Sequence, residues 1–237
     1  MKRMQLFCLP YAGGSSSMYH EFASNLPEWI EMIPIEYSEP GQKNKHSSFQ
    51  HMVRELAVQV QELWDEKPFA IMGYSMGSLV AYELYYEILQ KYNRKPIHMF
   101  FAAHVPPSQH TAKHLTRTDV EKRVKANLSS MGVNLPITEQ QTLLEWIVPK
   151  YLKDLDLYSK YSYVQGRQGI DANITVLYSD EENQQRQIFD WSPLSSKFCM
   201  YHRMGTSHFF INQGAKRMAW EVSQSISNEL RQPVFSN

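Results

Sequence analysis

Apolar positions follow two alternating rhythms along this chain. Short, nearly continuous apolar runs occur at Gln5–Leu9, Trp29–Tyr37, Phe69–Met72, Ile97–Val105, Ile174–Tyr178 and Phe198–His202. Such runs fit strands buried on both faces of a parallel sheet. Pro34 marks the second as an edge strand or the site of a bulge, because proline cannot donate to a ladder. Between the runs, apolar residues return at helical spacing. Met18–Leu26 is a short helix, and Phe49–Trp64 carries its apolar residues at 49, 52, 53, 56, 60, 63 and 64. Met76–Tyr92 presents Leu79, Val80, Leu84 and Ile88, while Asn212–Leu230 presents Met218, Trp220, Val222 and Ile226. Strand and helix in alternation predict an α/β domain, a mostly parallel sheet with helices on both faces.

The rhythm breaks once. Residues 108–169 contain no strand pattern, only helical periodicity over Asp119–Met131 and Thr138–Tyr158, with Pro136 and Pro149 as breakers. Roughly sixty residues far exceed an ordinary crossover, so the stretch is expected to be a helical insertion at the carboxyl edge of the sheet, a lid. Its Trp146, Tyr151, Tyr158, Tyr161 and Tyr163 are expected on the surface. The expectation is one domain, 1–237, with the lid at 108–169 inside it.

Charge and composition narrow the class. With 24 basic and 24 acidic residues the formal net charge is zero, which gives no footprint for nucleic acid or an anionic membrane. No run approaches the ~20 apolar residues of a span, and Met4–Leu9 is too short for a signal peptide. A cytoplasmic, monomeric protein is expected. Cys8 and Cys199 both fall in strands; they are potential neighbours in the sheet, but imply no disulfide framework. No metal-ligand cluster is present, and neither metal nor cofactor is expected.

The chemistry gathers around Gly73-Tyr74-Ser75-Met76-Gly77, which sits between a strand and a helix. In that setting the pentapeptide is a sharp turn that lifts the Ser75 hydroxyl clear of the sheet. A serine needs a base, and the base needs a third group to hold its tautomer. On this topology the chain order is serine, acid, histidine. His20, His46, His51, His110 and His114 lie in surface helices or loops ahead of any acid; His98 and His202 sit within strands as structural histidines. His104 ends a strand at the correct edge, where it is expected to line the pocket. His208 alone follows the last strand in a loop. For the acid, the loop after Ile174–Tyr178 offers Asp180, Glu181 and Glu182. Asp180 has the commoner side chain, while Glu182 lies further towards the histidine loop. Met76, at a helix N-terminus, is one expected oxyanion donor. Ala12 in the Tyr11-Ala12-Gly13-Gly14 loop is the other expected donor, with Tyr11 next in line.

Leu9-Pro10-Tyr11-Ala12-Gly13-Gly14-Ser15, the pentapeptide and Gly205-x-x-His208-Phe209-Phe210 together resemble the type II thioesterases, α/β-hydrolases that accompany nonribosomal peptide and polyketide synthases. The resemblance spans essentially the whole chain. It implies the α/β-hydrolase fold, Ala12 as an oxyanion donor and hydrolysis of acyl or aminoacyl thioesters. The substrate would ride on the phosphopantetheine arm of a carrier domain, clearing misprimed chains or releasing intermediates. Two stretches depart from the family. Ser179 stands where it has Gly and Glu182 where it has Asp, and that register favours Glu182 over Asp180 as the acid. Thr206-Ser207 replaces the usual Gly-Gly before the histidine. The alternatives are a stand-alone carboxylesterase or acyltransferase of the same fold, and a non-catalytic relative lacking the acid.

Overall fold

The structure, a computed structural model, describes residues 3–37, 46–111 and 115–231. His114 and residues 38–45 lie outside the described residues. Among the described residues six strands form one sheet: β1 (Met4–Leu9), β2 (Ile30–Pro34), β3 (Phe69–Tyr74), β4 (His98–Ala102), β5 (Asn173–Ser179) and β6 (Cys199–Gly205). Their spatial order is β2-β1-β3-β4-β5-β6, and all neighbours are parallel. Pro34 closes the edge strand β2, as its missing N–H requires. Cys8 and Cys199 are not neighbours: β1 and β6 have three strands between them, and both thiols are free.

Side-chain alternation along each strand builds two cores. One face of β1 sends Phe7 and Leu9 towards α2 (Phe49–Leu63) and α3 (Met76–Tyr92). The other sends Met4, Leu6 and Cys8 towards α1 (His20–Ser24) and α6 (Ile211–Arg231). The sheet is thereby covered on both sides, which is why its strands read as continuous apolar runs.

Between β4 and β5 lie α4 (Arg117–Ser130) and α5 (Ile137–Ser159). Thr116 caps α4, exchanging hydrogen bonds with Asp119. Pro149 does not break α5, which runs through it. Both Pro149 and Glu145, whose carbonyl loses its helical partner there, face solvent, where water can take the vacated bond. Nor are all the insertion's aromatics on the surface. Trp146 is exposed, but Tyr151 and Tyr161 are buried because the insertion packs back onto the main core. Its return segment is fixed to α3: Tyr161 and Arg167 both donate to the buried Glu83 carboxylate, at 2.8 and 2.7 Å. No helix among the described residues is long and apolar enough to cross a membrane.

Candidate active site

The turn after β3 has the expected strain. Ser75 adopts φ 54°, ψ −120°, a region that costs a non-glycine residue free energy and persists only where the surroundings enforce it. The enforcement is visible. The Ser75 N–H donates to Ala102 O at 2.7 Å, and the Ser78 hydroxyl reaches Gly73 O and Ala102 O, each at 2.8 Å. A Cβ on Gly73 would fall 2.0 Å from Gly77 O, and one on Gly77 2.3 Å from Leu9 O. Both glycines are required because helix and neighbouring strand pass against the turn at backbone distance.

The turn brings Ser75 Oγ within 3.1 Å of His208 Nε2, and His208 Nδ1 lies 2.7 Å from Glu182 Oε1. A carboxylate only accepts, so Nδ1 carries the hydrogen and Nε2 is left to accept from Ser75. Oε2 of Glu182 accepts from the Ser179 N–H at 2.8 Å and from its hydroxyl at 2.6 Å. Glu182 is only 9% exposed. Burial pushes its carboxyl up, but the bonds and charge of His208 and the two Ser179 donors outweigh it, leaving it below its ordinary value. His208 is tied from behind, its carbonyl accepting from the buried Tyr74 hydroxyl at 2.6 Å. Met76 opens α3, where the first-turn amides have no helical partner. It lines the same cavity as Ala12, Ser75 and His208. This arrangement can transfer a proton from serine to imidazole and present amides to a developing oxyanion.

A model of the thioesterase domain family matches residues 4–226. The chain is a member of the thioesterase family. It is 26% identical over 227 residues to the gramicidin S biosynthesis protein GrsT of Aneurinibacillus migulanus, covering 91% of this chain and 86% of that protein. Thioesterase PikA5 of Streptomyces venezuelae is 22% identical over 236 residues, covering 96% and 81%. Among solved structures, ClbQ from the colibactin NRPS/PKS pathway superposes with a TM-score of 0.81 at 22% identity, covering 97% of this chain and 99% of that one. The type II thioesterase BorB from the borrelidin cluster gives 0.78 at 20%, covering 96% and 93%. The architecture of this thioesterase is thus the α/β-hydrolase fold of its structural neighbours.

Above Ser75 the thioesterase has a cavity of about 780 Å³. Strand-end residues form its floor, and Arg123, Ala126, Tyr151, Leu155 and Tyr158 of the insertion form the opposite wall. His104 lines it as expected. Its Nδ1–H donates to Val105 O, and its Nε2 lies 2.8 Å from the Tyr158 hydroxyl. Burial lowers its pKa to about 4, so it is neutral at pH 7. His110, expected on the surface, also lines this cavity and packs its ring edge-on to Tyr158. His98 is a structural histidine, buried between Glu229 and Thr175; His202 lies 3.2 Å from Glu221.

Asp180 does not reach His208. It is half-exposed and held by both nitrogens of an Arg203 fork, at 2.7 and 2.6 Å. Those hydrogen bonds hold its carboxyl below its ordinary value. Among the described residues, two groups of side chains could converge on one cation, His46/His51/Glu55 and Glu181/Glu182/His208; in the second, Glu182 and His208 are already bonded to one another. Nothing local in the sequence signals the contacts of Tyr74 and Asp154 at this site. Ser179 is legible there only as a departure from glycine, and its hydroxyl on Glu182 is what that departure supplies.

Proposed function

We propose that this thioesterase hydrolyses acyl or aminoacyl thioesters carried on the phosphopantetheine arm of carrier domains of a nonribosomal peptide or polyketide synthase, using Ser75, His208 and Glu182. The observation that carries the reading is the continuous relay Ser75 Oγ–His208–Glu182 at the floor of a cavity roofed by the insertion. The relatives' roles in gramicidin S biosynthesis and in NRPS/PKS pathways support the choice of substrate.

In the first half-reaction His208 Nε2 takes the Ser75 proton as Oγ bonds to the thioester carbon. The oxygen that becomes negative meets the amides of Met76 and Ala12. Collapse breaks the C–S bond, and His208 returns its proton to the departing pantetheine thiolate. Water then repeats the sequence on the acyl-Ser75 ester: His208 removes a proton, the carboxylic acid leaves and Ser75 is reprotonated. Glu182 holds the imidazole's tautomer and faces the imidazolium in both halves. The residues of this chain suffice for these steps; the phosphopantetheine belongs to the carrier. Residues 108–169 act as the lid of a single domain, admitting the arm and enclosing the acyl group. The protein works as a cytoplasmic monomer, meeting its partner through the carrier domain.

The test is release of acyl groups from acyl-loaded carrier domains, followed by mass spectrometry. Ser75→Ala should abolish release while the melting temperature stays within a few degrees. Turnover of simple oxygen esters with none of acyl carriers would favour a carboxylesterase instead, and undiminished release by Ser75→Ala would overturn the nucleophile.

A further inference from the structure

The loop that carries Ala12 is held from outside the sheet by one stripe of α5. Positions 150, 151, 154 and 158 share a helix face, and each meets the site. The Lys150 ammonium donates to Gly14 O at 2.5 Å. Asp154 Oδ2 accepts from the Gly13 N–H at 2.8 Å. Tyr151 lies so close over Gly13 that a Cβ there would fall 2.7 Å from it, and Gly13 itself sits at φ +73°. Tyr158 reaches His104. Helix α4 adds a bond, with Asn127 donating to the Tyr11 hydroxyl at 3.1 Å, and Asn127 in turn accepts from Asn212 of α6 at 2.7 Å.

Asp154 is the unusual member. A carboxylate 2% exposed is expensive to keep unless its bonds serve a purpose. Burial raises it to about 6, opposed by the Gly13 amide and by Lys150 and Lys153. Its bond goes to the peptide joining Ala12 to Gly13, so the plane of that peptide, and with it the aim of the neighbouring Ala12 N–H, is set by a side chain 141 residues away. Three hydrogen bonds of α5 would have to release together before that wall could swing: Lys150 to Gly14, Asp154 to Gly13 and Tyr158 to His104.

We propose that Asp154 is a positioning residue: through Gly13 it holds the Ala12 amide on the oxyanion, and α5 is a fixed wall of the site. This rests on the reading of Ala12 as an oxyanion donor. Loss of one donor costs roughly 100-fold or more in turnover; a donor left in place but unheld should lose part of that, about tenfold or more.

The experiment compares wild type, Asp154→Ala and Asp154→Asn on an acyl N-acetylcysteamine thioester, with hydrogen exchange at the Gly13 amide read by NMR. Asp154→Ala should lower kcat at least about tenfold with KM within about threefold, and Gly13 should lose its protection. Asp154→Asn, whose amide oxygen still accepts from Gly13, should recover most of the loss. Unchanged kcat in Asp154→Ala, a loss confined to KM, an Asn variant as impaired as Ala, or unaltered Gly13 exchange would each overturn the proposal. Should Asp154→Ala fail to fold, Lys150→Met reads the same loop from a half-exposed position: a fall in kcat at constant KM supports the proposal, and wild-type kcat rejects it. Wild-type protein inert on both this thioester and acyl-loaded carrier domains would sink the functional reading instead, while Gly13 exchange would still decide whether Asp154 holds the loop.

Discussion

Glu182→Gln is the sharpest probe of the proposed relay, because its effect follows from donor and acceptor counting. In the native site Oε2 accepts two hydrogens from Ser179, one from a backbone N–H that cannot turn away. A glutamine must therefore aim its oxygen at Ser179 and its NH₂ at His208 Nδ1. Two donors cannot face each other, so Nδ1 becomes the acceptor and the imidazole hydrogen moves to Nε2. It then points at Ser75 Oγ, 3.1 Å away, and the base is occupied by its own proton. Wrong-tautomer changes of this kind cost roughly 10⁴-fold in turnover, which is about 5 kcal/mol of barrier. The assay is single-turnover acylation by an acyl-loaded carrier, with kcat and KM measured separately. Loss should appear in kcat, with the fold and KM retained. Asp180→Asn is the matched control: its carboxylate pairs with Arg203 on the surface, so its kcat should stay within about twofold of wild type. A Glu182→Gln enzyme keeping more than about a tenth of wild-type kcat, or an Asp180→Asn enzyme equally impaired, would refute the reasoning.

Two further outcomes follow from buried groups. Burial keeps His104 neutral down to about pH 4. Between pH 6.5 and 4 the unfolded chain thus binds a proton that the folded one refuses, and stability falls with pH. Asp154, raised to about 6, takes its proton in the folded state first, so from pH 6 towards 4 it returns stability as pH falls. Each linkage is worth about 3 kcal/mol at most. Removing the compensation in Asp154→Asn should make stability fall more steeply between pH 6.5 and 4 than in wild type, as measured by urea unfolding at a series of pH values; parallel curves would rule this out. Tyr74→Phe removes the hydroxyl that holds the His208 carbonyl. It should cost about 1–2 kcal/mol of stability and several-fold in kcat, read from melting curves and turnover together. Wild-type values for both would mean the tether is idle.

What was legible in the sequence depended on how local the cause was. The four central strands were legible because both faces of each are covered, so nearly every position is buried and most are apolar, whereas the edge strands β2 and β6 are only half-buried. Gly73 and Gly77 were legible because a close backbone approach leaves no other residue possible. Pro149 misled because a helical proline is tolerated wherever the orphaned carbonyl meets water, and single-chain periodicity does not reveal which side faces solvent. Tyr151 and Tyr161 looked exposed because their partners, the Gly13 loop and Glu83, are far away in sequence. The choice between Asp180 and Glu182 was open for the same reason: Arg203 and Ser179, which separate their roles, are met only in space. Asp154 had no local signal at all, since an acidic residue in an amphipathic helix ordinarily faces water.

The hydroxyl of Tyr74 has a consequence for how the site tolerates motion. Tyr74 is the residue immediately before Ser75, so the nucleophile and the tether of His208 are consecutive residues on the carboxyl end of β3. A displacement of that strand end carries serine and imidazole in the same direction, leaving the gap between them nearly unaltered. Drift of β6 or α6 is the disturbance that would open the gap, and it is the one the tyrosine bond resists. Serine and base are referred to one shared origin, much as two instruments bolted to a single plate keep their alignment while the plate itself vibrates.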